Sequence, residues 1–554
     1  MSRRPKSVPS LASMIVLILA FLAAEPLHAS TLLIGRSEAS IQLQQKLDPA
    51  SPYMETFQVA ENSSSTSPWV LSPQNNRTVW VVAWKLGKPF ISQIINFTIG
   101  TKPQVALTLY NALTTSILVD NQRNGVWFPV NDSLAYYDFA SRKEQTAISF
   151  SGGGPQFLAI DGSDRLWVTL TASNQIGMYD PSTSQNRTFN VPSPTSVLQG
   201  IAVAPDGMIW FAEPGPERLG KLNPAIGNVT EYSPSVRLLA PIQLAVAADG
   251  VVWFTDHGTN EFGSFNPATG EWAKFPVGYC RGICSVTLPN AIGIDAKGEV
   301  WFSEHFAGRI ARYDPGSRLL TEYIIPVPAG SPSEAFAYAW WASPGQNGLV
   351  WFTAYGFGEI GYVNSSIPVP LSISTANELT IPEGSSRELR SIIAYSGSGQ
   401  VSVGVSVSYL DTQSGTSVIS GSYIQDVQFD INTSRLEQTI GVGWNAAPGI
   451  HYVTLTASDG QIAVGIPIRL TITTNLLPYL TLAVSLSLLL MVPIIYLRAK
   501  LRGHPHVKPS VEPRWVLRPL INTARETNPH INTTFESKTF YNSWSRDLAP
   551  TCSC

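Results

Sequence analysis

Cysteine is scarce. Four cysteines in 554 residues cannot staple a chain of this length, so the fold rests on burial and hydrogen bonding rather than on a disulfide framework. Charge is scarce too: Asp, Glu, Lys and Arg make up 14% of the chain, and the net charge is −3. That balance gives no basic field for nucleic acid, so no nucleic-acid partner is expected. Histidines number seven. The sequence has no glycine-rich phosphate loop, no Ser-His-Asp arrangement and no cysteine cluster at zinc spacing.

Turn residues and tryptophan are plentiful instead. Trp80, Trp127, Trp167, Trp210, Trp253, Trp301 and Trp351 recur at intervals of 47, 40, 43, 43, 48 and 50 residues. Around each the same order returns, most clearly in Ile201–Tyr232, Leu244–Phe275 and Ile292–Tyr323. An apolar strand meets a turn such as Asp206-Gly207, Asp249-Gly250, Asn124-Gly125 or Asn347-Gly348. A Val/Ile-Trp-Phe strand follows, then a Gly-containing strand, then one ending in an aromatic. Asp-Gly and Asn-Gly favour tight hairpins. Four short strands per repeat of this length make a propeller blade. The expected fold is all-β: a seven-bladed β-propeller over 66–366, with blades at 66–110, 112–151, 156–192, 198–234, 241–277, 289–326 and 335–366. The tryptophans read as inter-blade core. Blade seven lacks an outer strand of its own, and Glu55–Val59 resembles the outer strand Thr321–Ile325 of blade six. The leading segment 30–65 is therefore expected to close the ring, leaving no large open edge.

Both ends carry membrane signals. Arg3, Arg4 and Lys6 precede the apolar run Leu11–Ala24, with small residues near Ala29; residues 1–29 read as a secretory signal peptide. Residues 476–497 are 22 residues without charge, long enough to cross a hydrocarbon core of about 30 Å. Arg498, Lys500, Arg502 and Lys508 follow, which places the tail 498–554 in the cytoplasm and the rest outside the cell. The tail is polar and is expected to be mostly disordered. Asn62, Asn76, Asn96, Asn131, Asn186, Asn228, Asn364 and Asn432 each open an Asn-X-Ser/Thr triplet, as suits a glycosylated ectodomain. Residues 371–474 are rich in Ser, Thr and Val and alternate in Val401–Tyr409 and His451–Ala457. They read as an immunoglobulin-like sandwich acting as a stalk.

The repeat Asp-Gly-x-Ile/Val-Trp-Phe-Thr/Ser-Glu/Asp, followed by Arg-Ile/Leu-Gly/Ala-Lys/Arg-Leu/Tyr, resembles the streptogramin B lyase (virginiamycin B lyase) family. It is carried by Asp206–Leu222, Asp249–Phe265 and Lys297–Tyr313. The resemblance covers most of 55–365. It implies a site on one mouth of the ring, where Mg²⁺ and a histidine base open an antibiotic ring by elimination. The family's residues are only partly present. The opening of the blade-six inner strand is Pro289-Asn290-Ala291-Ile292, with Asn290 where the family has His. The blade-seven segment Glu334-Ala335-Phe336 keeps a carboxylate but has Phe in the base position, and Tyr355 replaces a Glu four residues after Trp351. Phenylalanine cannot take a proton and one carboxylate is a poor Mg²⁺ site, so the family's reaction is not expected.

The same resemblance places the residue four after each blade Trp near that mouth. The set is Trp84, Asn131, Thr171, Pro214, His257, His305 and Tyr355. Trp84, Gln156, Gln199, Asn290 and Tyr355 suit a polar, partly stacked ligand: a small molecule, glycan, peptide or protein outside the cell. His257 and His305, on neighbouring blades, are candidates for catalysis or for holding a divalent metal with Glu334, Mg²⁺ by resemblance. Facing water and binding nothing is the plainer reading of the pair. Glu213, Asp256 and Glu304 belong to the repeat and are expected to bond loop backbone. Cys280 and Cys284 read as a local disulfide in the loop between blades five and six. The overall reading is a surface-anchored binding propeller, with a metal-dependent lyase or lactonase-type enzyme and a structural envelope component as rivals.

Overall fold

The computed structural model describes residues 51–59, 66–85, 89–277, 287–328, 337–396, 402–408, 419–420, 425–428, 433–443, 446 and 448–502. The signal peptide, most of the leading segment, Asn62, Asn432, Cys280, Cys284, Glu334, Phe336 and the tail beyond 502 lie outside them.

Antiparallel sheets of four strands form blades over 66–110, 118–149, 155–190, 201–232, 241–276 and 289–324. The seventh blade combines Ala339–Pro344, Leu349–Ala354 and Glu359–Asn364 with Met54–Gln58. Successive blades pack on one another all the way round, inner strand on inner strand except that the inner strand of blade three meets the second strand of blade two, and the last blade packs on the first.

All seven repeat tryptophans are buried on second strands. A buried indole N–H needs an acceptor, and in blades two, three and six an Asp of the preceding turn supplies it. Trp127 donates to Asp120 at 3.0 Å, Trp167 to Asp161 at 2.9 Å and Trp301 to Asp295 at 3.0 Å. The repeat's Asp thus has two tasks, since Asp161 and Asp295 also accept backbone N–H groups of their own turns. Third-strand glycines sit opposite large second-strand residues: Gly220 pairs with Phe211, Gly263 with Phe254 and Gly361 with Phe352. The ring of the larger partner fills the space a Cβ would need.

The ring closes through Met54–Gln58, which pairs antiparallel with Glu359–Asn364. Gln58 donates to Glu359 at 2.8 Å, and the Tyr362 hydroxyl donates to the Glu55 carboxylate. A Cβ on Gly361 would meet Phe352 at 2.5 Å and the Glu55 carbonyl at 2.6 Å. The carbonyl belongs to the closing ladder and cannot rotate away. Gly361→Ala should therefore loosen the closure by about 1–3 kcal/mol, as overpacking does, and amide hydrogen exchange should speed up first in 54–58.

Residues 371–473 form two further sheets. One holds Leu371–Thr375, Ser386–Tyr395, Thr433–Val442 and Ile419–Ser420. The other runs from Glu378–Pro382 and Ile462–Thr473 through Gly449–Ser458 and Ser402–Ser408 to Gln425–Gln428. Ile373, Ile393, Val453, Leu455 and Ile468 belong to one buried cluster that also takes in Trp301 and Tyr323 of blade six. The second sheet is continuous with that blade: Leu320–Tyr323 pairs antiparallel with Ile462–Gly465. The blade's open edge is thereby covered by the chain itself, one of the ways proteins protect an edge strand. Across the joint, Tyr452 meets Phe275 edge-on at 5.0 Å, and the Thr454 hydroxyl donates to the Pro276 carbonyl.

Residues from 476 onward form a separate unit. Its helix, Leu477–Arg502, contains Pro493 and has 26 residues. Among the described residues this is one helix long and apolar enough to cross a membrane.

Candidate functional site at the propeller mouth

Backbone hydrogen bonds identify the mouth. The N–H groups of Thr171, His257, His305 and Tyr355 donate to the carbonyls of Gly154, Ala240, Leu288 and Tyr338, at 3.1, 2.8, 3.3 and 3.1 Å. Each acceptor lies one or two residues ahead of the inner strand of the same blade. The residue four after the Trp and the start of the inner strand therefore share one end of the blade, in four blades alike.

Inner strands begin with a register shift in five blades, at Pro68/Val70, Pro155/Leu158, Pro241/Gln243, Pro289/Ile292 and Ala339/Ala342. A bulge re-aims side chains and often stands beside functional sites. The residues following the first of each pair are Trp69, Gln156, Ile242, Asn290 and Trp340. Hydroxyls tie these positions to the neighbouring blade. Thr255 donates to the Asn290 carbonyl at 2.5 Å, Ser303 to Trp340 at 3.2 Å, Thr353 to Trp69 at 3.3 Å and Ser116 to Gln156 at 2.6 Å. The Thr or Ser two residues after a blade Trp is thus an inter-blade latch in blades five, six and seven. Replacing buried Thr353 by Val, of the same shape, removes the donor and leaves the Trp69 carbonyl short of a partner. A loss of about 1–2 kcal/mol is expected in denaturant unfolding.

An aromatic arc runs over blades five, six, seven and one. The rings of His257 and His305 stack with centroids 5.1 Å apart and planes within 6°. His305 meets Trp340 edge-on at 4.8 Å. Trp340 stacks on Trp69 at 4.0 Å, and Trp69 on Trp84 at 3.8 Å. Tyr355 packs edge-on against Trp69 at 5.8 Å. Trp69, Trp340 and Tyr355 remain partly exposed. One residue further along the inner strands, Phe157 of blade three and Trp341 of blade seven lie 6.2 Å apart with planes within 5°. These blades are three steps apart round the ring, so this contact crosses the central channel.

Of the residues singled out from sequence, the fold brings His257, His305, Trp84 and Tyr355 together through this arc. Gln156 and Gln199 are partly exposed on blades three and four, away from it. Asn290 is buried, and its amide donates to the Trp340 carbonyl at 2.8 Å, joining blades six and seven. Trp69 and Trp340 were not among the sequence candidates. The signal was present: Pro68-Trp69 stands in the register of Pro155-Gln156 and Pro289-Asn290, with an aromatic where those blades have an amide.

Both imidazoles are held neutral. Burial lowers the pKa of His257, against a hydrogen bond to the Pro289 carbonyl, with 3.2 Å between Nδ1 and oxygen. A carbonyl only accepts, so Nδ1 of His257 carries the proton. Burial, and then the neighbouring His257, push His305 down to about 3. A weak hydrogen bond to the Leu288 backbone acts the other way, and buried Nδ1 of His305 has no well-formed partner among the described residues.

The acids at the end of the second strands differ from blade to blade. Asp256 accepts from the backbone N–H groups of Leu239 and Ala240 at 3.0 and 2.6 Å, and from Lys274 at 2.8 Å. Glu213 takes a hydroxyl hydrogen bond from Ser196 at 2.9 Å, and burial raises its pKa to about 7. Glu304 is fully buried, with no backbone donor among the described residues and the Glu322 carboxyl beside it. Burial and then Glu322 raise its pKa well above the usual range, with Arg309 acting the other way. Glu213→Gln should keep the Ser196 bond and remove the cost of ionisation. That cost is absent below about pH 4.5 and grows to pH 7, so the variant is expected to gain about 2–3 kcal/mol at pH 8 and nothing at pH 4.

Residues 106–371 match the virginiamycin B lyase family model. The propeller is virginiamycin B lyase-like. No curated protein sequence matches the chain. Among solved structures, virginiamycin B lyase from Staphylococcus aureus is 18% identical over 56% of this chain and 98% of its own, with a TM-score of 0.44. A streptogramin B lyase is 17% identical over 75% of this chain and 98% of its own, with a TM-score of 0.37. YCF48 bound to a D1 peptide is 10% identical over 57% and 97%, with a TM-score of 0.43.

Mg²⁺ is the ion this family implies, and it demands oxygen ligands in octahedral array. Among the described residues no group of three His, Cys, Asp or Glu side chains is placed to hold a metal. The two imidazoles lie face to face, and the Asn290 amide is bonded to backbone. Glu334 lies outside the described residues. The described mouth residues do not fit Mg²⁺, and no step of the family's elimination follows from them.

Proposed function

We propose that the protein is a membrane-anchored binding protein, with the lyase-like propeller outside the cell and the mouth of the ring as its ligand site. The observation that carries this reading is the aromatic arc. Its partly exposed rings Trp69, Trp340 and Tyr355 sit on bulged or loop positions that a purely structural ring would have no need to make aromatic. Binding pockets are mostly apolar and aromatic, with a few directed polar groups. Here the directed groups are the neutral imidazoles and the amides of Gln156 and Gln199. The reading also takes residues 371–474 as an immunoglobulin-like stalk, residues 476–497 as the anchor and the following basic residues as cytoplasmic.

The test is direct. Trp340→Ala should abolish ligand-dependent quenching of tryptophan fluorescence when candidate extracellular ligands are titrated, while Ile226→Ala, on the exposed rim of blade four, leaves it unchanged. Equal responses from the two variants would rule out the mouth as the site.

A further inference from the structure

The mouth is divided by chemistry. Blades five, six, seven and one present His257, Trp340, Tyr355 and Trp69, with His305 and Trp84 buried behind them and the Trp84 N–H bonded to the Thr114 carbonyl. Blades two, three and four present Asn131, Gln156, Thr171 and Gln199. No residue of either set carries a carboxylate, an ammonium or a guanidinium, and the pKa values of both histidines are lowered. On the aromatic side no acceptor among the described residues meets the indole N–H of Trp69, Trp340 or Trp341. Nδ1 of His305, in a residue only 8% exposed, has no well-formed hydrogen bond, the Leu288 carbonyl being its weak backbone partner. An unpaired buried polar atom costs about 1–3 kcal/mol, and a ligand atom arriving there removes that cost.

Resting on the binding role proposed above, we infer that the mouth takes an uncharged saccharide. A pyranose ring has an apolar C–H face and an edge of hydroxyls, which matches an aromatic wall opposite a wall of amides. A hydroxyl both donates and accepts, as a primary amide does, so Gln156 and Gln199 can each pair with adjacent hydroxyls. The indole N–H groups take ring or hydroxyl oxygens. Acidic sugars are disfavoured because none of the residues named on either wall is a cation, and Lys85, next to Trp84, is exposed to water, where a charge pair is worth little. A proline-rich peptide, which also docks on aromatic walls, offers carbonyl acceptors but few donors, and leaves the amide oxygens of Gln156 and Gln199 without partners.

The test uses the full chain in lipid nanodiscs and calorimetric titration with maltohexaose, cellohexaose and chitohexaose, each with and without EDTA. A decamer of proline and a sulfated hexasaccharide serve as rival probes. At least one neutral hexasaccharide is expected to bind, unaffected by EDTA. Trp340→Phe, which keeps a ring but removes the N–H, and Gln156→Ala should each weaken it at least tenfold. Unchanged thermal melts separate these losses from misfolding. Binding of the proline decamer alone, weakened by Trp340→Phe, overturns the saccharide and leaves the mouth as a binding site. Preference for the sulfated sugar overturns it as well. Binding unaffected by both variants, or no binding by any probe, overturns the saccharide and counts against the mouth itself.

Discussion

Trp301→Ala should cost about 3–5 kcal/mol, at the upper end for a buried aromatic. Trp301 has no exposed surface. Its N–H is bonded to Asp295 at 3.0 Å, so its loss also removes a partner from that carboxylate. Its ring stacks on Tyr323 at 5.8 Å, and the Arg312 guanidinium lies over it at 5.7 Å. Tyr323 in turn pairs with Ile462 across the joint to the second sheet pair. The effect should therefore travel. Hydrogen exchange at 462–465 is expected to accelerate along with blade six, and urea unfolding should show the full loss. A loss confined to blade six, with the 462–465 amides as protected as before, would mean that the joint does not depend on this core.

His305→Phe should flatten the acid limb of the stability profile. The folded-state pKa of His305 is near 3, against 6.5 for the free side chain. The unfolded chain therefore binds a proton that the folded chain refuses, and stability falls as pH drops below about 6.5. Each pH unit costs about 1.4 kcal/mol. Between pH 6.5 and 4.5 wild type should lose about 2–3 kcal/mol through this residue, and the phenylalanine variant should not. The aromatic contacts to Trp340 and Phe306 would be kept. Denaturant midpoints at both pH values measure the difference. The raised carboxyl of Glu213 acts with the opposite sign, losing stability as pH rises toward 7. Together they place the stability optimum in the mildly acidic range between the two limbs.

Much of the propeller was legible because its physics is repeated. A tryptophan near every 45th position, each with a turn before it and a glycine strand after it, states the period, the hairpins and the large-to-small packing of Phe211 on Gly220 together. The likeness of Glu55–Val59 to Thr321–Ile325 pointed to the strand that pairs with Glu359–Asn364. The joint between blade six and Ile462–Gly465 was not legible. A strand that pairs with another domain alternates like any other, and nothing local names its neighbour. At the mouth, sequence position identified His257 and His305 as neighbours, but only geometry shows that their rings stack. The aromatic arc was missed for a related reason. Trp69 and Trp340 look like core residues in one dimension, and the bulge that turns them toward the mouth is a property of backbone register. Asn290 illustrates the converse: singled out as a ligand residue, it is buried and its side chain joins two blades.

The binding role proposed for this lyase-like mouth needs no metal. Elemental analysis of the purified full chain, beside a His257→Ala/His305→Ala double variant, tests it most directly. No stoichiometric divalent metal is expected in either protein after dialysis. About one equivalent in the wild type, lost in the double variant, would contradict it and return the site to metal-dependent chemistry.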